Sequence, residues 1–195
     1  MGDERRIQFI EAAARVLRDR GPAELTVRRV AEAAGESTMG VYTGFGSRAG
    51  VLDALYLHGF ELLHARLDGL PRAATPIDAV VAVALGYRDF ALAEPHLYGF
   101  LFERPLPDFE PAVASRAAAL ESTFGYLLRP IGELTPNPER PAYQAWAAMH
   151  GLVSIELTHQ ARDPLPGWFL ETPDQWREIY LDGVRASLTG LGLLR

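Results

Sequence analysis

Thr26–Leu52 reads TVRRVAEAAGESTMGVYTGFGSRAGVL, and this stretch decides the fold. Thr26 is placed as an N-cap, ahead of a stripe of Val27, Val30, Ala31 and Ala34 at helical spacing. Gly35 follows, and a glycine there ends the helix by accepting positive φ. Ser37 is a second N-cap candidate; the short helix it opens runs to about Tyr42 or Thr43. Ser47 then caps a longer helix bearing Val51, Leu52, Leu55, Phe60 and Leu63. On the N-terminal side, Ile7, Ile10, Ala14 and Leu17 predict a helix from about Asp3 to Arg20, stopped by Gly21-Pro22.

A helix, a glycine-bearing turn and a short second helix match the helix-turn-helix pattern. In that motif the second helix enters the DNA major groove with its N-terminal end leading. The small side chains of Ala31–Ala34 suit close packing of the first helix. Val41, Tyr42 and Phe45 can anchor the second, which leaves Ser37, Thr38, Met39 and Gly40 toward DNA. Hydroxyls and backbone amides at a helix N-terminus suit phosphate oxygens.

Beyond Leu70, prolines and glycines cut the chain into longer helices. Thr75-Pro76 opens one that reaches about Glu94, and Pro95–Glu103 is a short apolar piece. A helix from about Pro111 to Leu134 follows, which Pro130 can kink or shorten. Two more run over about 141–162 and 173–191, joined by Asp163-Pro164-Leu165-Pro166-Gly167-Trp168. Nothing alternates as a strand does, so the fold class is all-α with about nine helices. The expected organisation is a three-helix DNA-binding head over residues 1–50 and a larger helical ligand-binding and dimerisation domain over 51–195.

Composition bounds the function. Residues 1–50 hold eight Arg and seven Asp/Glu (8 − 7 = +1), while residues 51–195 hold eleven and eighteen (11 − 18 = −7). A near-neutral head on an acidic body implies two jobs in one chain. Every basic residue is Arg. Cysteine is absent, which removes disulfides and thiolate chemistry and fits the cytoplasm. No apolar run is long enough to span a membrane, and the charged first ten residues do not read as a signal peptide.

Three segments resemble the TetR family of bacterial transcriptional repressors: Ala12–Gly21 (AAARVLRDRG), Thr26–Gly35 (TVRRVAEAAG), and Tyr42-x-x-Phe45-x-Ser47-Arg48-x-x-Val51-Leu52. The resemblance covers about the first 55 residues strongly. It implies that Thr26 and Arg28 lie near the DNA backbone and that Ser37 to Thr43 form the recognition helix. It also implies that Tyr42 and Thr43 contact the backbone, and that Arg48, standing in for the usual lysine, reaches a phosphate. Three residues depart from the family pattern: Glu36 for an apolar residue, Thr38 for a frequent lysine, and Gly44 for a larger residue. With no basic residue between Glu36 and Phe45, direct Arg-to-guanine readout from that helix is lacking. Arg28, Arg29, Arg5 or Arg6 must supply the cationic contacts, and specificity leans on Met39 against a thymine methyl and on DNA shape.

In the acidic body, the helix around Ala142–Thr158 carries one charge, Glu156. Trp146, His150, Val153 and Leu157 form one face; Ala145, Met149, Leu152 and Ile155 form another. A helix apolar on two sides is covered on two sides. With the stripe Trp176, Ile179, Tyr180, Val184, Leu188 and Leu191 of the last helix, it would build a four-helix homodimer interface, as TetR-like proteins commonly do. Trp146-x-x-x-His150-Gly151 resembles the Trp-His-Gly signature of one TetR C-terminal subgroup. The family places an effector cavity among the middle helices, where the candidates are Tyr87, Phe90, His96, Tyr98, Phe102, Phe124, Trp146, Met149 and His150. Plain core packing is the alternative use of each. Together they suit an apolar or aromatic small molecule rather than a phosphorylated one.

Other chemistries fit poorly. Gly44-x-Gly46-x-x-Ala49 has no preceding strand to make it a dinucleotide site. The five histidines contain no i, i+4 pair for a metal, and no G-x-S-x-G elbow exists. The expected protein is a non-enzymatic, cofactor-free, metal-free regulator whose partners are a palindromic operator in double-stranded DNA, a small effector and a second copy of itself. The competing reading is a helical ligand- or protein-binding module that has lost specific operator binding.

Overall fold

The computed structural model describes residues 2–163 and 165–194. Met1 of the N-terminal segment and Pro164 of the last inter-helix loop lie outside the described residues. Ten α-helices are present among the described residues: α1 (Asp3–Arg20), α2 (Val27–Ala33), α3 (Thr38–Phe45), α4 (Arg48–Asp68), α5 (Pro76–Ala93), α6 (Pro95–Phe102), α7 (Val113–Thr123), α8 (Gly125–Gly132), α9 (Glu139–Gln160) and α10 (Pro173–Gly190). The tenth arises because the span expected as one helix over 111–134 is two. The break falls at Phe124 and not at Pro130, which sits inside α8. Ser122 Oγ and Thr123 Oγ1 both donate to the Ala119 carbonyl, at 2.9 and 2.8 Å. Such back-bonding competes with the helical ladder.

Local signals account for most boundaries. The Thr75 hydroxyl accepts the Asp78 amide at 3.1 Å ahead of Pro76. Thr172 and Gln175 close a reciprocal capping box on α10.

The chain forms two compact units: residues 1–64 with 94–123, and residues 65–93 with 124–195. In the first, α1 buries Phe9, Ala12, Ala13, Val16 and Leu17, and α2 and α6 pack on it. In the second, α5 is central, with α8, α9 and α10 against it. The buried stripe of α9 is Ala142, Ala145, Met149, Val153 and Glu156, so Ile155 faces out and the one charged residue of that stretch faces in. Glu156 receives a bidentate pair of hydrogen bonds from Arg88, at 2.8 and 2.6 Å. Both side chains are almost fully buried.

Candidate nucleic-acid interface

The helix-turn-helix is held by three devices. The Thr26 hydroxyl accepts the Arg29 amide at 3.2 Å, capping α2. At the turn, Gly35 has φ +67°; its amide donates to Glu32, and the Glu36 amide donates back to Ala31 at 2.9 Å. That pair of bonds is the Schellman arrangement, which satisfies the last carbonyls of α2. Ser37 takes the extended N-cap conformation of α3, although its hydroxyl makes no cap bond among the described residues. On the far side, the Ser47 hydroxyl caps α4 by accepting the Gly50 amide at 3.1 Å.

The faces of α3 are sharply divided. Gly40 and Val41 are its buried residues. Ser37, Thr38, Met39, Tyr42 and Thr43 are exposed, Met39 at 69% and Tyr42 at 50%. This corrects two expectations. Gly40 does not point outward; it lies against Phe9, and a Cβ there would meet the ring at 2.8 Å. Tyr42 does not anchor the helix; it stands on the open face with Thr38 and Met39. The reason is geometric. With Val41 directed to the core, the residue one turn before it, Ser37, caps the helix, and the remaining space against α1 admits only a residue without a side chain.

Arginines clasp this motif from α1. Arg5 makes a bidentate pair with Glu36, so the departure at Glu36 is matched by a partner 31 positions earlier. The hydrogen bond from Arg5 holds the Glu36 carboxyl below its usual range. Arg6 donates to the Gly44 carbonyl and lies 4.4 Å over the Phe45 ring. Arg15 donates to the Ala33 carbonyl at 2.9 Å.

The remaining cations differ in availability. Arg29 pairs with Glu24 at 3.1 Å and approaches Glu32 at 3.9 Å. Arg48 donates to the Leu25 carbonyl at 2.9 Å and to Asp108 at 2.7 Å. Arg28 is exposed and makes no ion pair among the described residues. Arg5, Arg29 and Arg48 are thus matched by carboxylates and Arg6 is held by the Gly44 carbonyl and the Phe45 ring, whereas Arg28 makes no such contact among the described residues.

The effector candidates divide between the units. In the second, the Tyr87 hydroxyl lies 3.1 Å from His150 Nδ1, and the Trp146 ring is 5.6 Å from that of His150. Phe90 and Met149 are buried, and Phe124 is half-buried at the α7–α8 break. In the first, His96 Nδ1 is 3.1 Å from the Arg18 carbonyl, at the end of α1. Tyr98 is fully buried, 5.1 Å from Phe102, which in turn meets Phe60 at 5.5 Å. Asp108, Glu110, Arg104 and Arg88 carry no local signal along the chain, since each pairs with a residue that no sequence pattern connects to it.

Comparison with known proteins agrees with this geometry. Residues 9–55 match the family described as bacterial regulatory proteins, tetR family. Residues 80–184 match the tetracyclin repressor-like C-terminal domain. No curated protein is significantly similar to the chain in sequence. Among solved structures, a tetR-family transcriptional regulator from Streptomyces coelicolor superposes with a TM-score of 0.74 at 18% identity, covering 99% of this chain and 83% of its own. A second Streptomyces coelicolor regulator, SCO7222, gives 0.67 at 23% identity with both chains covered fully. The fatty acid degradation regulator FadR from Bacillus halodurans gives 0.71 at 13% identity over 96% of each chain. Those likenesses show the fold. The matched domains show more: the chain belongs to the TetR family of transcription regulators, DNA-binding proteins with a helix-turn-helix head and an all-helical C-terminal domain.

Proposed function

We propose that the protein is a homodimeric repressor that docks two heads on a palindromic operator and is released by a small apolar or aromatic molecule. The observation that carries the DNA-binding part is the open face of α3. Thr38, Met39, Tyr42 and Thr43 lie together on it, while Glu36 is neutralised by Arg5. Phosphate contacts come from Arg28, from the hydroxyls of Thr26, Ser37 and Thr43, and from Tyr42. Arg29 and Arg48 contribute by exchanging a carboxylate for a phosphate. Base reading falls to Thr38 and to Met39 against a thymine methyl, helped by DNA shape. The functional head is residues 1–50, and residues 51–195 carry effector binding and pairing.

Pairing runs through α9 and α10, where Tyr143, Ile155 and Ile179 are exposed apolar residues of the kind a partner helix covers. Tyr87, Trp146, Met149 and His150 are the side chains around which the effector site of the second unit is built. The protein acts in the cytoplasm, without catalysis, cofactor or metal. No described helix is long and apolar enough to cross a membrane.

Gel retardation with the DNA upstream of the protein's own gene, at stated salt, tests the reading. Sequence-selective retardation that an unrelated duplex does not compete away supports it. Only weak, salt-labile retardation of any duplex overturns it in favour of a helical binding module without an operator.

A further inference from the structure

The ten-residue connection between α6 and α7 is tied down at every few residues. Phe109 stacks on Phe100 with centroids 5.7 Å apart and planes 7° apart. Asp53 on α4 accepts the Ala112 amide at 2.8 Å and the Ser115 hydroxyl at 2.6 Å. Asp108 receives Arg48. Glu110 lies between two guanidinium groups, 2.7 Å from Arg104 and 3.2 Å from Arg116. Arg104 has φ +50°, the one positive value at a non-glycine residue among those described. Backbone in that region persists only where its surroundings enforce it, and such positions cluster at ligand clamps. Beside this cluster is a cavity of about 170 Å³ lined by Tyr56, Phe100, Leu106 and Phe109 together with Arg104, Glu110 and Arg116.

We propose that this cavity binds small aromatic monocarboxylates, the ligand's carboxylate replacing Glu110 between Arg104 and Arg116. Size fits, since an apolar cavity of roughly 150 Å³ takes a benzene ring. The lining fits, because Tyr56, Phe100 and Phe109 give the cavity an aromatic wall. Charge fits best. Two guanidinium groups flank one carboxylate, and their planar forks match a carboxylate in two-point geometry. Glu110 is half exposed, so it can leave for water at little cost. The residue that now occupies the position is itself a carboxylate on an apolar-walled cavity, which is the chemistry the ligand must reproduce.

The site reaches the head through the same loop. Glu110 is two residues from Asp108, and Asp108 holds Arg48 at the start of α4. This coupling, unlike the site, rests on the proposed operator binding.

Isothermal titration of the full-length protein with benzoate, and with benzamide as its uncharged isostere, tests the site. Benzoate is expected to bind about two- to fivefold more tightly than benzamide, the worth of an ion pair at half-exposed guanidinium groups. Glu110→Gln removes the internal competitor and is expected to tighten benzoate by about two- to fivefold, the worth of a half-exposed ion pair and a gain that misfolding cannot imitate. Arg116→Gln is expected to weaken it by about the same factor. Equal binding of benzoate and benzamide, no gain in Glu110→Gln, or an unaffected Arg116→Gln each overturns the proposal. Gel retardation with and without benzoate then reads the coupling. If benzoate binds as stated and operator affinity does not change, the coupling to Arg48 fails and the site stands. If no operator is retarded at all, the titration still decides the site.

Discussion

Gly40 shows how one absent methyl sets the distance between two helices. Its would-be Cβ lies 2.8 Å from Phe9 Cζ and 3.2 Å from Cε2. Phe9 is fully buried and held edge-on to Phe45 at 6.1 Å, so the ring has nowhere to go. Gly40→Ala is expected to cost about 1–3 kcal/mol by overpacking, read as a lower urea midpoint, with Phe9→Leu in the same chain recovering part of it. An unchanged midpoint in Gly40→Ala would show that α3 can shift freely. Arg28 is a different kind of residue, matched by no carboxylate and committed to no packing. Arg28→Ala is expected to weaken retardation of all duplexes alike and to lower the salt slope by about 1. A changed sequence preference would assign it to base reading instead. At Glu36 the sign of the pH effect follows from its depressed carboxyl. The Arg5 clasp contributes fully above the ordinary carboxylate range and is lost as pH falls through the folded value. The difference in melting temperature between the parent and Glu36→Gln is therefore expected to shrink in acid.

Among the elements, α9 carries the largest single electrostatic liability. Glu156 and Arg88 satisfy one another in the core, with Gln160 adding a 3.2 Å bond to Glu156 and the Arg88 guanidinium 5.8 Å from the Tyr180 ring. Removing one charge strands the other. Glu156→Gln is expected to lose about 3–5 kcal/mol, whereas Arg88→Met combined with Glu156→Leu costs far less, because no buried charge remains. Denaturant titration of the two variants separates them; equal losses would mean that the pair matters for shape rather than charge. The α7–α8 break teaches a related lesson. Pro130 is the conspicuous helix breaker in the sequence, yet the interruption comes where Ser122 and Thr123 occupy the Ala119 carbonyl.

For the whole molecule, the proposed function turns on the number of copies. A single head with so few unmatched cations has little purchase on DNA; two heads on one palindrome multiply it through effective concentration. Ile155→Asp together with Ile179→Asp places charges on the exposed apolar positions of α9 and α10. The double variant is expected to sediment as a monomer at micromolar concentration and to lose retardation of a full palindrome while keeping its helical circular dichroism. A dimer that survives both substitutions would move the proposed seam elsewhere.

Much of this protein was legible along the chain. Thr26, Gly35, Ser47 and Thr75-Pro76 act on backbone groups within four residues of themselves, so caps, turns and helix ends declare themselves locally. The helix-turn-helix followed from that punctuation, and the family from the resemblance carried by Ala12–Gly21, Thr26–Gly35 and the pattern from Tyr42 to Leu52. What stayed hidden were relations between distant positions. Arg5 with Glu36, Arg48 with Asp108, Arg88 with Glu156 and Glu110 with its two arginines leave no periodic trace, because a charge announces its sign but not its partner. The facing of α3 was hidden for another reason: eight residues make barely two turns, too few for the spacing of apolar side chains to say whether Gly40 or Tyr42 turns inward. Close packing against Phe9 settles that, and with it which side chains are left for DNA.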